Sequence, residues 1–279
     1  MNVAIVGIGL IGGSIGLEMK KNGFCRHIIG VDTNDHNQKK AIELGIIDSI
    51  QSLETAIKSS SLVILSTPVN ITSKIITSIL DNIDDQVVMD VGSTKSKLIN
   101  QISSHPKRKH FVATHPIAGT EFSGPEAAHL DLFRNKVTII CDHLDSSKFA
   151  LNTVFKLYDS IGAKTIFMTA KDHDIHSAYV SHISHISSFS LALSVMDKEK
   201  DQKNILNMAG SGFESTVRLA KSNKEMWTPI FSENKNNILE VLENYIGKLN
   251  DFKQAIKDDN TERLNLLIND ANMIKKILK

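Results

Sequence analysis

The sequence predicts an α/β chain in two parts: a doubly wound, mostly parallel sheet, then an all-helical C-terminal domain. Three observations carry this. Short β-branched runs alternate with helical patterns through the first half, a glycine-rich turn follows the first run directly, and strand-like runs stop at Thr169. The runs at 3–6, 27–31, 62–66, 87–91, 111–114 and 137–140 read as strands buried on both faces, and a short run at 164–168 closes the sheet. Amphipathic stretches at 14–22, 37–44 and 72–83 lie between several of them, the alternation expected of βαβ units.

Beyond Thr169 long periodic segments take over, at about 171–196, 214–222, 226–248 and 261–278. Thr169 followed by Asp172 is a capping box in all but the length of its acid, so a helix starts there. The boundary is set here: residues 1–169 form the sheet domain and 170–279 the helical one. The segments 226–248 and 261–278 are longer and more apolar than a cap on one sheet needs, which predicts a homodimer.

Composition narrows the class. With 41% hydrophobic and 23% charged residues the chain is an ordinary globular protein, and a formal net charge of +1 provides no field for nucleic acid or anionic membrane. Lys107-Arg108-Lys109 is a solvated turn before a strand. Cys25 and Cys141 show no metal or redox spacing and read as free thiols in a reducing compartment. Neither a cationic leader nor a run of membrane-spanning length is present, so a soluble, cytoplasmic protein without metal is expected.

The first run leads straight into Gly7-Ile-Gly9-Leu10-Ile11-Gly12, a GxGxxG turn that opens a helix. Gly7 permits the tight turn, Gly9 lets backbone approach a pyrophosphate, and Gly12 lets the helix pack close to the strand. The N–H groups of the first helical turn, at Leu10, Ile11 and Gly12, then face the phosphate charge. The second run ends in Asp32, twenty residues beyond Gly12, where an acid accepts both ribose hydroxyls and repels a 2′-phosphate. Thr33-Asn34-Asp35 supplies no arginine for that phosphate. The unit is a Rossmann-type site for NAD in preference to NADP. Ser66, Thr67 and Pro68 follow the third run at the sheet edge where such cofactors lie; they line the nicotinamide half of the site, start a helix, or do both.

Two further segments carry more polar chemistry than loops need: Asp90-Val-Gly-Ser93-Thr-Lys95 and His115-Pro-Ile-Ala-Gly-Thr-Glu121-Phe-Ser-Gly124. Each follows a strand and emerges at the edge that holds Gly7 and Gly12. A histidine there suits a general base beside the nicotinamide. Ser93 either orients it or caps the helix beginning near Lys95. On their residues alone, Arg218 is a solvated helical arginine, Trp227 a packing residue and Glu121 a surface acid. His182 and His185, three apart, share a helix face as a polar seam.

The glycine turn, 66–69, 90–95 and above all His115-Pro-Ile-Ala-Gly-Thr-Glu-Phe-Ser-Gly124 resemble the prephenate dehydrogenase family of tyrosine biosynthesis. The resemblance continues through Ser181-His182-Ile-Ser-His185, Gly210-Ser-Gly212-Phe213, Arg218-Leu-Ala, Met226-Trp227 and Glu233-Asn234, covering essentially the whole chain. It implies a Rossmann domain with a helical dimerisation domain, NAD as cofactor, and oxidative decarboxylation of prephenate to 4-hydroxyphenylpyruvate. His115 would meet the ring hydroxyl and assist its deprotonation, with Ser93 in support. Arg218 would bind the ring carboxylate, His185 and Trp227 would contribute to the substrate pocket, and Glu121 would belong to a polar gate near Arg218. The family often has proline where this chain has Ser184, which leaves His182 as an alternative to His185. Two other functions stay open: an arogenate dehydrogenase, and a non-catalytic NAD-sensing regulator on the same fold.

Overall fold

A computed structural model describes residues 1–277. The chain divides into two compact units, residues 1–234 and a smaller unit from residue 235 onward. In the first, β1 (Asn2–Val6), α1 (Leu10–Lys21), β2 (His27–Val31), α2 (Asp35–Glu43), β3 (Ser49–Ile50) and α3 (Leu53–Lys58) are followed by β4 (Leu62–Leu65), α4 (Val69–Asn82), β5 (Val87–Asp90) and α5 (Ser96–Ile102). Then come β6 (Phe111–Pro116), β7 (Val137–Cys141), α6 (Lys148–Ser160) and β8 (Lys164–Met168). The helices α7 (Ala170–Ser177), α8 (Ile183–Asp201), α9 (Ser211–Val217) and α10 (Lys224–Glu233) complete this unit.

The strands form one sheet in the order β3-β2-β1-β4-β5-β6-β7-β8. Alternate side chains of β1 explain its two-sided burial. Val3 and Ile5 join α1 and α6 (through Ile15, Met19, Val154 and Leu157) in one core. Ala4 and Val6 face the other way, toward α3, α4 and α5 (Ile57, Ile76, Ile79, Leu98). The central parallel strands β1, β2, β4 and β5 are therefore covered on both sides, which is why their sequences run apolar without alternation, whereas the edge strands β3 and β8 are largely exposed.

The sheet is parallel through β6; β7 pairs with β6 antiparallel, with Pro116 opposite Thr138 and Ala113 opposite Cys141. The chain between them, 117–136, holds no crossover helix, and an antiparallel neighbour requires none. Instead this excursion folds across α1: the Ser14 hydroxyl accepts the His129 N–H at 3.0 Å, and the buried Glu18 carboxylate accepts that of Asp131. The register also sets where the helical half begins. Asp90 lies beside Ala113, Ala113 beside Cys141, and Cys141 beside Met168. The chain thus leaves β8 level with the carboxyl end of β5. Thr169 starts α7 there, its hydroxyl accepting the Asp172 N–H at 3.0 Å and donating to the Asp172 carboxylate at 2.7 Å, a cap stabilising by about 1 kcal/mol.

The segment expected as one helix over 226–248 is two, α10 and α11 (Lys235–Lys257), broken at Asn234. The second unit consists of α11, a turn through Asp259 at φ +49°, and α12 (Thr261–Asn272), whose first turn is capped by Asn260. The helix expected over 261–278 ends sooner, in a 3₁₀ turn over Met273–Lys276, and Leu278 lies outside the described residues.

Candidate active site

The glycine turn is shaped by contacts that leave no room for side chains. Gly7 has φ +89°, and a β-carbon there would stand 2.7 Å from the Ser66 carbonyl oxygen; one on Gly12 would come within 2.3 Å of the Gly7 carbonyl. Gly9 differs, with nothing within 4 Å of where its β-carbon would be. It is also the N-cap of α1 and offers no side-chain acceptor, so the first-turn N–H groups of Leu10, Ile11 and Gly12 face outward for an anion. Asp32 stands beside this turn: Oδ2 accepts the Ile8 N–H and Oδ1 that of Asn34, both at 2.9 Å. The Asn37 amide adds a long contact to Oδ2 at 3.4 Å; a carboxylate offers about four acceptor sites, so a ribose hydroxyl can still be received, and a second if it displaces that amide. An NAD pyrophosphate and ribose fit this cradle. Ser66 donates its hydroxyl to the Gly7 carbonyl at 2.6 Å, tying the β4–α4 turn to the glycine turn. Thr67 pairs with the Thr72 hydroxyl at 2.8 Å, and Pro68 is the N-cap of α4.

His115 sits near the end of β6, half-buried. Its Nδ1 lies 2.8 Å from Nε2 of His173, whose own Nδ1 donates to the Asp174 carboxylate at 2.8 Å. The two rings meet edge-on with centroids 5.0 Å apart. Asp174 also accepts the N–H groups of Lys95 and Ser96, both at 2.8 Å, and so caps α5 from the first helix of the helical half. Ser93 is not that cap; it stands half-buried in the loop between β5 and α5, and β5 pairs with the strand that carries His115. Below, Lys95 and Asp90 form a fully buried ion pair, and Asp90 also accepts the Gly92 and Thr114 N–H groups. Removing either charge would strand the other, at a cost of about 3–5 kcal/mol. Burial, then the proximity of His173, Lys95 and His182, holds the His115 imidazole well below its ordinary 6.5. It is neutral, and able to accept a proton, at neutral pH.

The helix that delivers His173 continues through a π-turn over Ala178–His182 into α8. His173 and His185 are twelve residues apart, about 3.3 turns of unbroken α-helix, which would point them well away from each other. The π-turn absorbs one residue, the effective spacing becomes about three turns, and both rings reach the same side. His185 stacks on Trp227 with centroids 3.4 Å apart, and its Nδ1 donates to the Ser181 carbonyl at 3.0 Å. Burial lowers the His185 pKa, and the Arg218 charge adds to this. His182 meets Trp227 edge-on and points instead to the buried Asn234, which also donates to the Asp174 carbonyl at 2.7 Å. Burial pushes the His182 pKa down to about 4. Arg218 is paired with Glu121 of the 117–136 excursion at 3.3 Å. The pair is more than half exposed on the arginine side and contributes under about 1 kcal/mol, so it can open. Buried Trp227 Nε1 has no hydrogen-bond partner among the described residues.

Comparison with known proteins decides what this arrangement belongs to. The nucleotide-binding domain of prephenate dehydrogenases matches residues 15–167, and the dimerization domain of the same enzymes matches residues 169–270. The chain belongs to the prephenate dehydrogenase family. The prephenate dehydrogenase of Bacillus subtilis is 32% identical over 266 residues, spanning 94% of this chain and 72% of its own. The crystal structure of the Aquifex aeolicus prephenate dehydrogenase, in complex with hydroxyphenyl propionate and NAD+, superposes with a TM-score of 0.91. It shares 31% identity and covers 100% of this chain and 98% of its own. Synechocystis arogenate dehydrogenase has the same fold, with a TM-score of 0.79 at 24% identity and full coverage of both chains. The family match begins at residue 15, after the glycine turn, so for Gly7, Gly9 and Gly12 the geometry above is the local support.

Within this family fold, the sequence-derived residues gather in two groups: Gly7–Gly12, Asp32 and Ser66 around the first turns of the sheet, and Arg218, Glu121, His185 and Trp227 around α8 and α10. His115 stands on β6 and Ser93 in the loop that follows the adjoining strand β5. Reading the sequence missed His173 and Asp174 and gave Asn234 no role of its own. The available signal was a His–Asp pair in the first two turns of a capped helix, twelve residues before His185.

Proposed function

We propose that this chain is an NAD-dependent prephenate dehydrogenase, converting prephenate and NAD to 4-hydroxyphenylpyruvate, carbon dioxide and NADH in tyrosine biosynthesis. The observation that carries the reading is His115: a neutral, half-buried imidazole at the carboxyl edge of the sheet that holds the glycine turn. NAD bound at Gly7, Gly9, Leu10, Ile11, Gly12 and Asp32 supplies the hydride acceptor, with 66–68 lining its nicotinamide half. His115 accepts the proton of the 4-hydroxyl as the hydride leaves the carbon that bears it, and Ser93 supports that contact. The bond to the ring carboxylate then breaks, its electron pair enters the ring, and aromatisation drives loss of carbon dioxide. Arg218 receives the ring carboxylate through paired N–H donors. His185 and Trp227 wall the ring, and Glu121 releases Arg218 when substrate arrives.

Initial rates with prephenate and arogenate, each with NAD and NADP, test this reading. Prephenate with NAD should be the fastest pair, since Asp32 would oppose a 2′-phosphate. Efficient arogenate turnover without prephenate turnover would move the substrate assignment to arogenate.

The proposal assigns residues 1–169 to the dinucleotide and 170–279 to substrate binding and dimerisation, in a cytoplasmic homodimer. The match to a dimerization domain supports the assembly, and no helix among the described residues is long and apolar enough to cross a membrane. Sedimentation at micromolar concentration should give a dimer; a monomer there would remove that part of the assignment.

A further inference from the structure

We infer that His173 and Asp174 are positioning residues that hold His115 in the tautomer with its proton on Nδ1 and its lone pair on Nε2. The inference rests on the reading of His115 as the base and adds what makes it one. A carboxylate only accepts, so the 2.8 Å contact to Asp174 Oδ1 requires the proton of His173 on Nδ1. In that tautomer His173 presents a lone pair at Nε2. Across the 2.8 Å contact to that atom, His115 Nδ1 must be the donor. The remaining ring nitrogen of His115, Nε2, is left with its lone pair, which is what a proton acceptor needs.

The chain is built to keep this direction. His173 is fully buried and Asp174 nearly so. Asp174 is itself locked by the Lys95 and Ser96 N–H groups, which also only donate. Although burial raises the Asp174 carboxyl, the His173 and Ser96 hydrogen bonds hold it below its ordinary value and keep it ionised. When His115 takes a proton on Nε2, the new positive charge is shared through His173 toward that carboxylate. The bond made is Nε2–H and the bond broken is the substrate O–H; no further group is consumed.

The test uses the full-length enzyme with His173→Phe, which keeps a flat ring and removes both nitrogens, and His173→Gln, whose amide oxygen can still accept from His115 Nδ1. His173→Phe should lower kcat about 10²–10⁴-fold with prephenate KM and NAD Kd nearly unchanged, as loss of a correct tautomer does in hydrolytic triads. His173→Gln should recover roughly tenfold or more of that loss, which a merely structural role would not predict. Independently, ¹⁵N spectra of histidine-labelled wild type should show His115 protonated on Nδ1. Wild-type kcat in His173→Phe, or a resting His115 protonated on Nε2, would overturn the inference. If His115→Asn itself kept full turnover, the reading of His115 as base would fail first; if His115→Asn were inactive while His173→Phe stayed active, only the positioning role would fall.

Discussion

Replacing His115 with asparagine is expected to lower kcat by about 10²–10⁴-fold, the range a positioned general base contributes, while NAD affinity stays close to wild type. Asparagine keeps polarity and approximate size but cannot take a proton at neutral pH. The dinucleotide cradle is built from Gly7 and Gly9 in the turn after β1, Gly12 in α1 and Asp32 after β2, so a substitution on β6 leaves it intact. Titration of NAD by fluorescence and steady-state rates with prephenate read the two quantities separately. The pH dependence gives the same group a second signature. The base must be neutral to act, and burial, with His173, Lys95 and His182 close by, disfavours its cation, so its pKa lies well below 6.5. For the wild type, kcat/KM should therefore be level through neutrality and fall only as pH drops through that lowered value. In His115→Asn that acidic limb should disappear. An unchanged kcat in the variant would remove His115 as the base, whereas NAD binding without any wild-type turnover would favour a dinucleotide-sensing protein that performs no chemistry.

The second large effect is expected at Arg218. Arg218→Gln should raise the KM for prephenate about 10- to 150-fold, the loss of roughly 1.5–3 kcal/mol for hydrogen bonds to a charged group, with little change in the KM for NAD. In the free enzyme Arg218 is committed only to Glu121, at 3.3 Å and largely in solvent. Its guanidinium charge acts on His185, which stacks on Trp227. Glu121→Gln should act oppositely on this contact, freeing Arg218 and leaving the KM for prephenate equal or lower. If Arg218→Gln left KM unchanged and lowered only kcat, the arginine would not be the group that holds the ring carboxylate before reaction.

The central strands were legible because burial on both faces writes itself as continuous apolar runs, and β2 was bounded to the residue; β8, also bounded to the residue, is largely exposed and was legible as a short apolar run ahead of the Thr169 cap. Two-residue β3 leaves no such run. Helix α6 had both signals, a Ser147 cap and the periodic face Ala150, Val154, Leu157 and Tyr158, yet it sits among short strands where a helix is easily overlooked. The break at Asn234 was not legible, because its cause is an amide bonded to the Asp174 carbonyl sixty positions earlier. The same holds within the site. Gly7, Gly12 and Asp32 announce themselves through local spacing. His173 gains its meaning only from the contact with His115, 58 positions away. Ser93 reads equally as a cap until Asp174 is seen to occupy that role at α5.

The central claim is oxidative decarboxylation of prephenate by this chain, and its most direct test is product stoichiometry with the wild-type protein, prephenate and NAD. The account predicts NADH and carbon dioxide released in equal amounts, with 4-hydroxyphenylpyruvate as the organic product. NAD binding accompanied by neither NADH nor carbon dioxide from prephenate would contradict it.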